Sequence, residues 1–294
     1  MTKTRDCWAD WLARMRTDGD PDVLEKGLEM LTGFRERVLD NAGPLEGKTL
    51  LDVGCGEGLI GFGALERGAG TVVFSDISED LLDFCREAAE ELGVSERCRF
   101  LEASADDLVG AEDESVDVVT TRSVLIYVAD KEAAFREFAR VLRPGGRISL
   151  FEPINRFAQQ TGGFWAGFDL GAIPEIAEKM RALYEAIQPP DTDPMTDFDE
   201  RDLIRCAEAA GFHPINLVLE VEIRPSEPMA WESFLGRAGN PRIPTIAEAM
   251  EQALTADERE QLAEVLRPLV EEGGGTWRMA SAFLYATKLG AGLH

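Results

Sequence analysis

The sequence predicts an α/β protein built on a doubly wound, mostly parallel sheet with helices on both faces and helical cap insertions. Three observations carry that expectation. The first is the stretch Leu50-Leu51-Asp52-Val53-Gly54-Cys55-Gly56-Glu57-Gly58, where a short apolar run breaks into alternating glycines before the apolar-periodic segment Leu59, Ile60, Phe62, Leu65. It reads as strand, tight turn and helix. Such glycines let the backbone turn sharply and let a ligand lie against the main chain, and the helix that follows aims its free N–H groups and positive dipole end at that ligand. The second is that apolar runs rich in β-branched residues alternate with amphipathic helical segments as far as residue 154, as in units with right-handed crossovers. The third is that this alternation stops at 155–195 and again at 225–275, and resumes after each break.

Taken in order, residues 1–42 read as an N-terminal helical cap. Trp8, Trp11 and Leu12 recur at helical spacing within 5–16, and Leu31, Phe34 and Val38 within 22–41. These helices either pack on the core or close over a ligand site from the N-terminal side. Residues 43–154 form the nucleotide-binding core. Strands are expected at 49–53, 71–76, about 98–102, 116–121 and 148–151. Helices are expected at about 58–68, from Ser78 to Gly93 with Ser78 as cap, and from Asp130 to Leu142. Ala103 to Leu108 reads as a turn and short helix, and Arg143-Pro144-Gly145-Gly146 as a turn. Residues 155–195 form a lid or substrate insertion with a helix at about 174–187. Residues 196–224 continue the core with a helix at 199–210 and a strand at 213–223. Residues 225–275 are a helical cap with two helices, the second opened by Thr255 and Glu258 at capping-box spacing. Residues 276–294 hold the last strand and a tail, which makes seven strands.

With 55 acidic and 30 basic residues the chain carries a net charge of −25. That argues against a nucleic-acid partner, whose phosphates demand clustered Lys and Arg, and against an anionic membrane surface. No apolar run reaches the roughly 18–20 residues of a transmembrane helix, and the N-terminal stretch has no signal-peptide core. The five cysteines form no CxxC pair and no zinc spacing. A cytoplasmic location with reduced thiols and no metal is the expectation.

Asp76 stands at the tip of the second strand, about twenty residues beyond the glycine turn, where an acid accepts hydrogen bonds from a ribose diol in doubly wound folds; it could instead cap the next helix. Two nucleotide ligands compete for the site. Gly56, Gly58 and Gly61 spell the GxGxxG of a nicotinamide dinucleotide site, but the first of them lies three residues past Val53, whereas that fingerprint starts straight off the strand. S-adenosylmethionine has no pyrophosphate and needs no third glycine. It carries an α-amino group that suits an acid at the end of the first strand, and Asp52 supplies one.

At this point the sequence resembles the class I S-adenosylmethionine-dependent methyltransferases, of the kind that act on small molecules. The resemblance rests on Leu51 to Gly58, on Asp76, on Ala103-Ser104-Ala105-Asp106-Asp107-Leu108, on Ser115 to Val119 and on Val141-Leu142-Arg143-Pro144-Gly145-Gly146. It covers about residues 35–155, and the helix at 199–210 and the final strand pair fit it. It implies a seven-stranded sheet with an antiparallel last strand. By position it puts Asp52 towards the methionine amino group, and the backbone of Gly54, Cys55, Gly56 and Gly58 under the methionine and ribose. Asp76 falls on the ribose hydroxyls, Ile77 beside the adenine, and Ala105 and Asp106 at the adenine edge. Ser104 stands where the family often has Asp. Thr121 and Arg122 lie near the sulfonium.

On the acceptor side, methyl transfer from a sulfonium is an in-line displacement that mainly needs orientation and exclusion of water. The segment Thr120-Thr121-Arg122-Ser123 is not the Asp/Asn-Pro-Pro-aromatic motif of amino-methylating nucleic-acid enzymes. It carries no Pro-Cys nucleophile and no acidic metal cluster of the catechol type. A small-molecule acceptor, methylated on O or N and belonging to secondary metabolism, is the expectation. Glu152 is the candidate base or orienting acid, with Arg122 and Tyr127 beside it. Arg122 would pair with a substrate anion or with one of the chain's many acids. Asn155, Arg156, Trp165, Phe168 and Asp169 are the candidate acceptor contacts, in a stretch that reads as a lid or as a packed extension. Exposed cap surfaces would allow a homodimer. Two alternatives stand: an NAD(P)-dependent oxidoreductase, and a cofactor-binding methyltransferase fold repurposed for other chemistry.

Overall fold

The computed structural model describes residues 6–16, 21–161 and 167–290. Helices α1 (Cys7–Arg16) and α2 (Pro21–Ala42) precede β1 (Thr49–Val53). Then come α3 (Leu59–Glu66), β2 (Thr71–Asp76), α4 (Glu79–Glu91), β3 (Cys98–Glu102), β4 (Val116–Arg122), α5 (Lys131–Val141) and β5 (Leu142–Pro153). After these follow α6 (Asn155–Gln160), α7 (Pro174–Ile187), α8 (Glu200–Ala209) and β6 (Phe212–Pro225). The chain closes with α9 (Trp231–Leu235), α10 (Ile246–Ala253), α11 (Ala256–Glu272) and β7 (Thr276–Lys288). The strands form one sheet in the order β3-β2-β1-β4-β5-β7-β6. β1 to β5 pair in parallel, and β7 runs antiparallel between β5 and β6. The mostly parallel, seven-stranded sheet with an antiparallel last strand is thus the observed fold.

The order of the strands reverses between β1 and β4, which run parallel, and the crevice beyond their carboxyl ends is where open α/β sheets take ligands. Leu50, Leu51 and Val53 are all buried because helices cover both faces of β1. Alternation of side chains sorts them. Leu51 and Val53 join the core under α5 and α8, while Leu50 joins Phe74, Val72 and α2 to α4 on the other face. A third apolar cluster lies apart from the sheet, and both insertions contribute to it. Ile176 and Met180 from the first pack with Trp231, Phe234, Met250, Leu262 and Leu266 from the second.

Three local expectations are corrected. No helix forms at 103–108. Ala103 donates to the Asp76 carbonyl (3.1 Å) and Leu108 to the Glu137 carboxylate (2.9 Å), which stretches the segment between β2 and α5 and leaves only a tight bend. Residues Arg143 to Gly146 do not end before a strand; they bulge out of β5, whose pairing with β4 jumps from Val116–Leu142 to Val118–Arg147. The second insertion holds three helices among the described residues, because Thr245 and Glu248 form a capping box as Thr255 and Glu258 do. Of the candidate acceptor contacts, Trp165 lies outside the described residues. No helix among them is long and apolar enough to cross a membrane.

Candidate functional site

One cavity of about 1410 Å³ opens beyond the carboxyl ends of β1, β2 and β4. Its floor is the glycine turn. Gly54 has φ 63°, and a Cβ there would lie 2.3 Å from Val124, so the turn and the β4 loop meet at a distance only glycine permits. Gly56 has φ 55°, and a Cβ there would meet nothing closer than Leu12 at 3.8 Å, so this face of the turn is open to a ligand.

Asp76 bridges the floor to β2. Its carboxylate accepts from the Gly56 amide (2.9 Å) and from the Ser78 amide (3.0 Å), so its orientation is fixed while each oxygen keeps a lone pair. Burial raises its pKa above the usual carboxylate range. Ile77 stays half exposed next to it and offers an apolar surface to the cavity. Ala103, Ser104, Ala105 and Asp106 line the adjoining wall, with the Ser104 hydroxyl donating to the Asp106 carboxylate. A planar base beside Ile77, a diol on Asp76 and an amino-acid tail along Gly54 and Gly56 fit this half of the cavity.

A layer of buried groups lies behind the floor. Asp52 does not line the cavity. Because it shares a strand face with Leu50, it points under α3 and accepts from the Thr120 hydroxyl (2.9 Å) and the Gly61 amide (3.0 Å). Burial lifts its carboxyl to about 7. Gly61 itself is a packing residue, since a Cβ there would come 2.3 Å from the Phe74 ring. Cys55, Gly58 and Thr121 also lie off the cavity surface. Glu152 is fully buried behind the wall. It accepts from the Thr121 hydroxyl (3.2 Å) and from the amides of Val124, Leu125 and Ile126 (3.0, 3.0 and 3.3 Å). Burial lifts it to about 7 as well, against those hydrogen bonds. The acid expected to act as a base is placed instead to hold the loop after β4.

That loop presents Arg122, Ser123 and Tyr127 to the other half of the cavity. Arg122 continues the face of β4 that carries Thr120. Burial pulls its pKa below the ordinary arginine value, and the charges of Asp52 and Glu152 oppose that shift. Tyr127 meets the edge of Trp8 with ring centroids 4.8 Å apart. Burial pushes its phenol up to about 12, so it enters neutral chemistry as a hydroxyl and not as a phenolate. The Arg242 guanidinium lies 5.6 Å over the Trp8 ring. Trp11 and Leu12 from α1, Met195, and Met229 from the second insertion complete this half.

Of the acceptor contacts expected from the first insertion, Asn155 alone among the described residues lines the cavity. Arg156 donates to the Asp197 carbonyl (3.4 Å), Phe168 packs edge-on against Phe234 in the cap core, and Asp169 accepts from the Gly171 amide in its own turn (2.9 Å). Met195, Met229 and Arg242 were not expected at the site, whereas Trp8 and Trp11 lie on the helix that was expected either to pack on the core or to close over the ligand. For the two tryptophans there was a signal: they fall three residues apart on one face of the short helix at 5–16.

Residues 51–150 match a family model described as a methyltransferase domain. Over 115 residues the chain is 36% identical to the tRNA 5-carboxymethoxyuridine methyltransferase of Escherichia coli (strain K12), a match covering 39% of this chain and 43% of that protein. Over 176 residues it is 29% identical to the ubiquinone/menaquinone biosynthesis C-methyltransferase UbiE of Escherichia coli O1:K1, covering 57% of this chain and 69% of that one. The chain therefore spans less than half the length of the first of these relatives. Among solved structures, geranyl diphosphate methyltransferase in complex with SAM superposes with a TM-score of 0.55 at 20% identity, covering 95% of each chain. The [4+2]-cyclase SpnF superposes at 0.50 and 19% identity, over 88% of this chain and 80% of that one. These likenesses speak to the fold, and the antiparallel β7 inserted beside β5 separates it from the 3-2-1-4-5-6 order of dinucleotide-binding sheets. Residues 51–150 of the chain are thus similar to a methyltransferase domain, carried on the sheet that these solved structures share.

Proposed function

We propose that the chain transfers a methyl group from S-adenosylmethionine to a small-molecule acceptor, on oxygen or nitrogen, inside this cavity. The observation that carries the reading is the cavity's extent. At about 1410 Å³ it exceeds the roughly 300–1,000 Å³ of a pocket for one drug-sized ligand, and its two halves differ in chemistry. One is glycine backbone with fixed acids; the other is aromatic and holds arginines.

The bound cofactor would supply an electrophilic methyl group on sulfur. The chain's own residues would supply position. Asp76 would hold the ribose diol, and Gly54 and Gly56 would let the tail lie against the backbone. Glu152 would fix the β4 loop through three amides and so set where Arg122 and Tyr127 stand. The α1 tryptophans would cover the reacting groups and exclude water, which makes approach and orientation the main source of rate. Among the described residues lining the cavity there is no histidine. An acceptor atom that arrives ionised or with a free lone pair suits such a site better than one that must first lose a proton from carbon. The net charge of −25 supports a free small molecule over a polyanion such as tRNA.

Calorimetric titration with S-adenosylhomocysteine tests the reading. The wild type should bind it, and NAD should leave the protein's thermal midpoint unchanged. Asp76→Ala should weaken S-adenosylhomocysteine binding at least about tenfold, the size of a lost charge-assisted hydrogen-bond pair. A wild type that binds NAD and ignores S-adenosylhomocysteine would sink the proposal. Release of S-adenosylhomocysteine against an acceptor library separates methyl transfer from a repurposed use of the fold, since fold alone does not assign chemistry.

A further inference from the structure

Arginines in this acidic chain are commonly paired. Arg35, Arg67, Arg86, Arg140, Arg143 and Arg205 each bridge to a carboxylate. Arg122 differs: among the described residues its guanidinium has neither a hydrogen bond nor an ion pair, although it lines the cavity. The nearest acids do not serve it directly. Asp52 is occupied by Thr120 and Gly61, and Glu152 by Thr121 and three loop amides. They balance the charge of Arg122 and leave its N–H groups unused. A guanidinium offers five donors in a planar fork whose geometry matches a carboxylate in two parallel hydrogen bonds. A partly buried charge without such a partner is costly, and an incoming anion relieves that cost.

Resting on the methyltransferase reading above, we propose that Arg122 is the specificity-determining residue of the acceptor half, and that the acceptor is a carboxylic acid with an apolar, planar body. The carboxylate pairs with Arg122, and the body lies along Tyr127 and Trp8. Three observations converge on this class. Tyr127 and Trp8 present an aromatic edge-to-face pair beside Arg122. Arg242, stacked over Trp8, adds a second positive group on the same side. Of the acids that line the cavity, Asp76 and Asp106 stand in the other half and Glu271 belongs to the cap helix α11, and among the described residues none of them pairs with Arg122.

A carboxylate can also come from the methionine end of the cofactor, and the experiment separates the two sources. In one arm, wild type saturated with S-adenosylhomocysteine is titrated at low salt with a panel of aromatic acids, each beside its primary amide, indole-3-acetate with indole-3-acetamide among them. Acids should bind at least about tenfold tighter than their amides, and Arg122→Gln should abolish the difference. Arg122→Lys, which keeps charge but not the fork, should restore part of it. In the other arm, S-adenosylhomocysteine and 5′-methylthioadenosine, which lacks the amino-acid tail, are titrated into both proteins. If Arg122→Gln weakens the first tenfold and spares the second, Arg122 serves the cofactor and the proposal is overturned. It is overturned equally if no acid binds, or if acids and amides bind alike. A wild type that binds no S-adenosylhomocysteine defeats the methyltransferase reading instead, and the acid–amide comparison on the free chain still decides the role of Arg122.

Discussion

At the scale of single residues, the acids divide by where the pleat sends them. Asp76 ends β2 and reaches the cavity; Asp52 and Glu152 sit one layer back and hold backbone and hydroxyl groups. Sequence position alone suggested a ligand role for all three. It identified the strand tips but not which face each side chain takes, and for Glu152 the decisive partners are the amides of a loop nearly thirty residues away. Burial leaves a thermodynamic mark on these two acids. Both carboxyls are lifted to about 7, well above their unfolded values near 4. A carboxyl with a raised folded pKa takes its proton first in the folded state. The folded state therefore gains as pH falls from above 7 towards 4, and this contribution is lost as pH rises through about 7. Lowering the pH from 8 to 6 should raise the wild-type unfolding midpoint. Asp52→Asn, which cannot take up that proton, should show a smaller rise. Scanning calorimetry across the window decides it: a midpoint that stays level or falls in the wild type would mean that these carboxyls are not held near 7.

Among the elements, α1 does the most with the least length. Asp6 caps it, accepting from the Trp8 and Ala9 amides, and also receives the hydroxyl of Ser78, itself the cap of α4. Two helix N-termini are thereby joined cap to cap above Asp76. At the other side, the Trp11 indole donates to the Ala238 carbonyl in the second insertion (3.2 Å). The helix thus spans the cavity from the cofactor half to the cap, with Trp8 on Tyr127 and Leu12 over Gly56. Its helical spacing was legible, whereas its docking was not, because every one of those contacts joins residues far apart in sequence. Trp8→Ala removes an edge-to-face pair worth about 0.5–1.5 kcal/mol beyond its buried area together with the stack under Arg242. It should weaken S-adenosylhomocysteine binding roughly two- to tenfold by loosening the cover, with little change in the unfolding midpoint, because α1 lies outside the sheet's core. Unchanged affinity would show that α1 does not cover the ligand.

For the molecule as a whole, the sheet was readable because each strand and helix announces itself within a dozen residues, through alternation, caps and the glycine turn. The cap was less so. Residues 155–195 and 225–275 read as two separate insertions, yet Ile176 and Met180 share one apolar core with Trp231, Met250 and Leu266, and the Asn240 amide donates to Gln188 across the two (3.3 Å). No local pattern marks which apolar faces will meet when more than forty residues and a strand of the sheet intervene. The result is a molecule with apolar cores on the sheet and another beside it, joined around the cavity. A body built this way need not open all at once; regions with their own core can exchange and unfold with their own free energy. Met180 is fully buried in the cap core, and Met180→Ala should cost about 2–5 kcal/mol there. Hydrogen exchange should then quicken in α7, α10 and α11 while amides of β1, β4 and β5 keep the wild-type rates. Equal acceleration in the sheet would show instead that cap and sheet open as one cooperative unit, in which case acceptor entry could not proceed by opening of the cap alone.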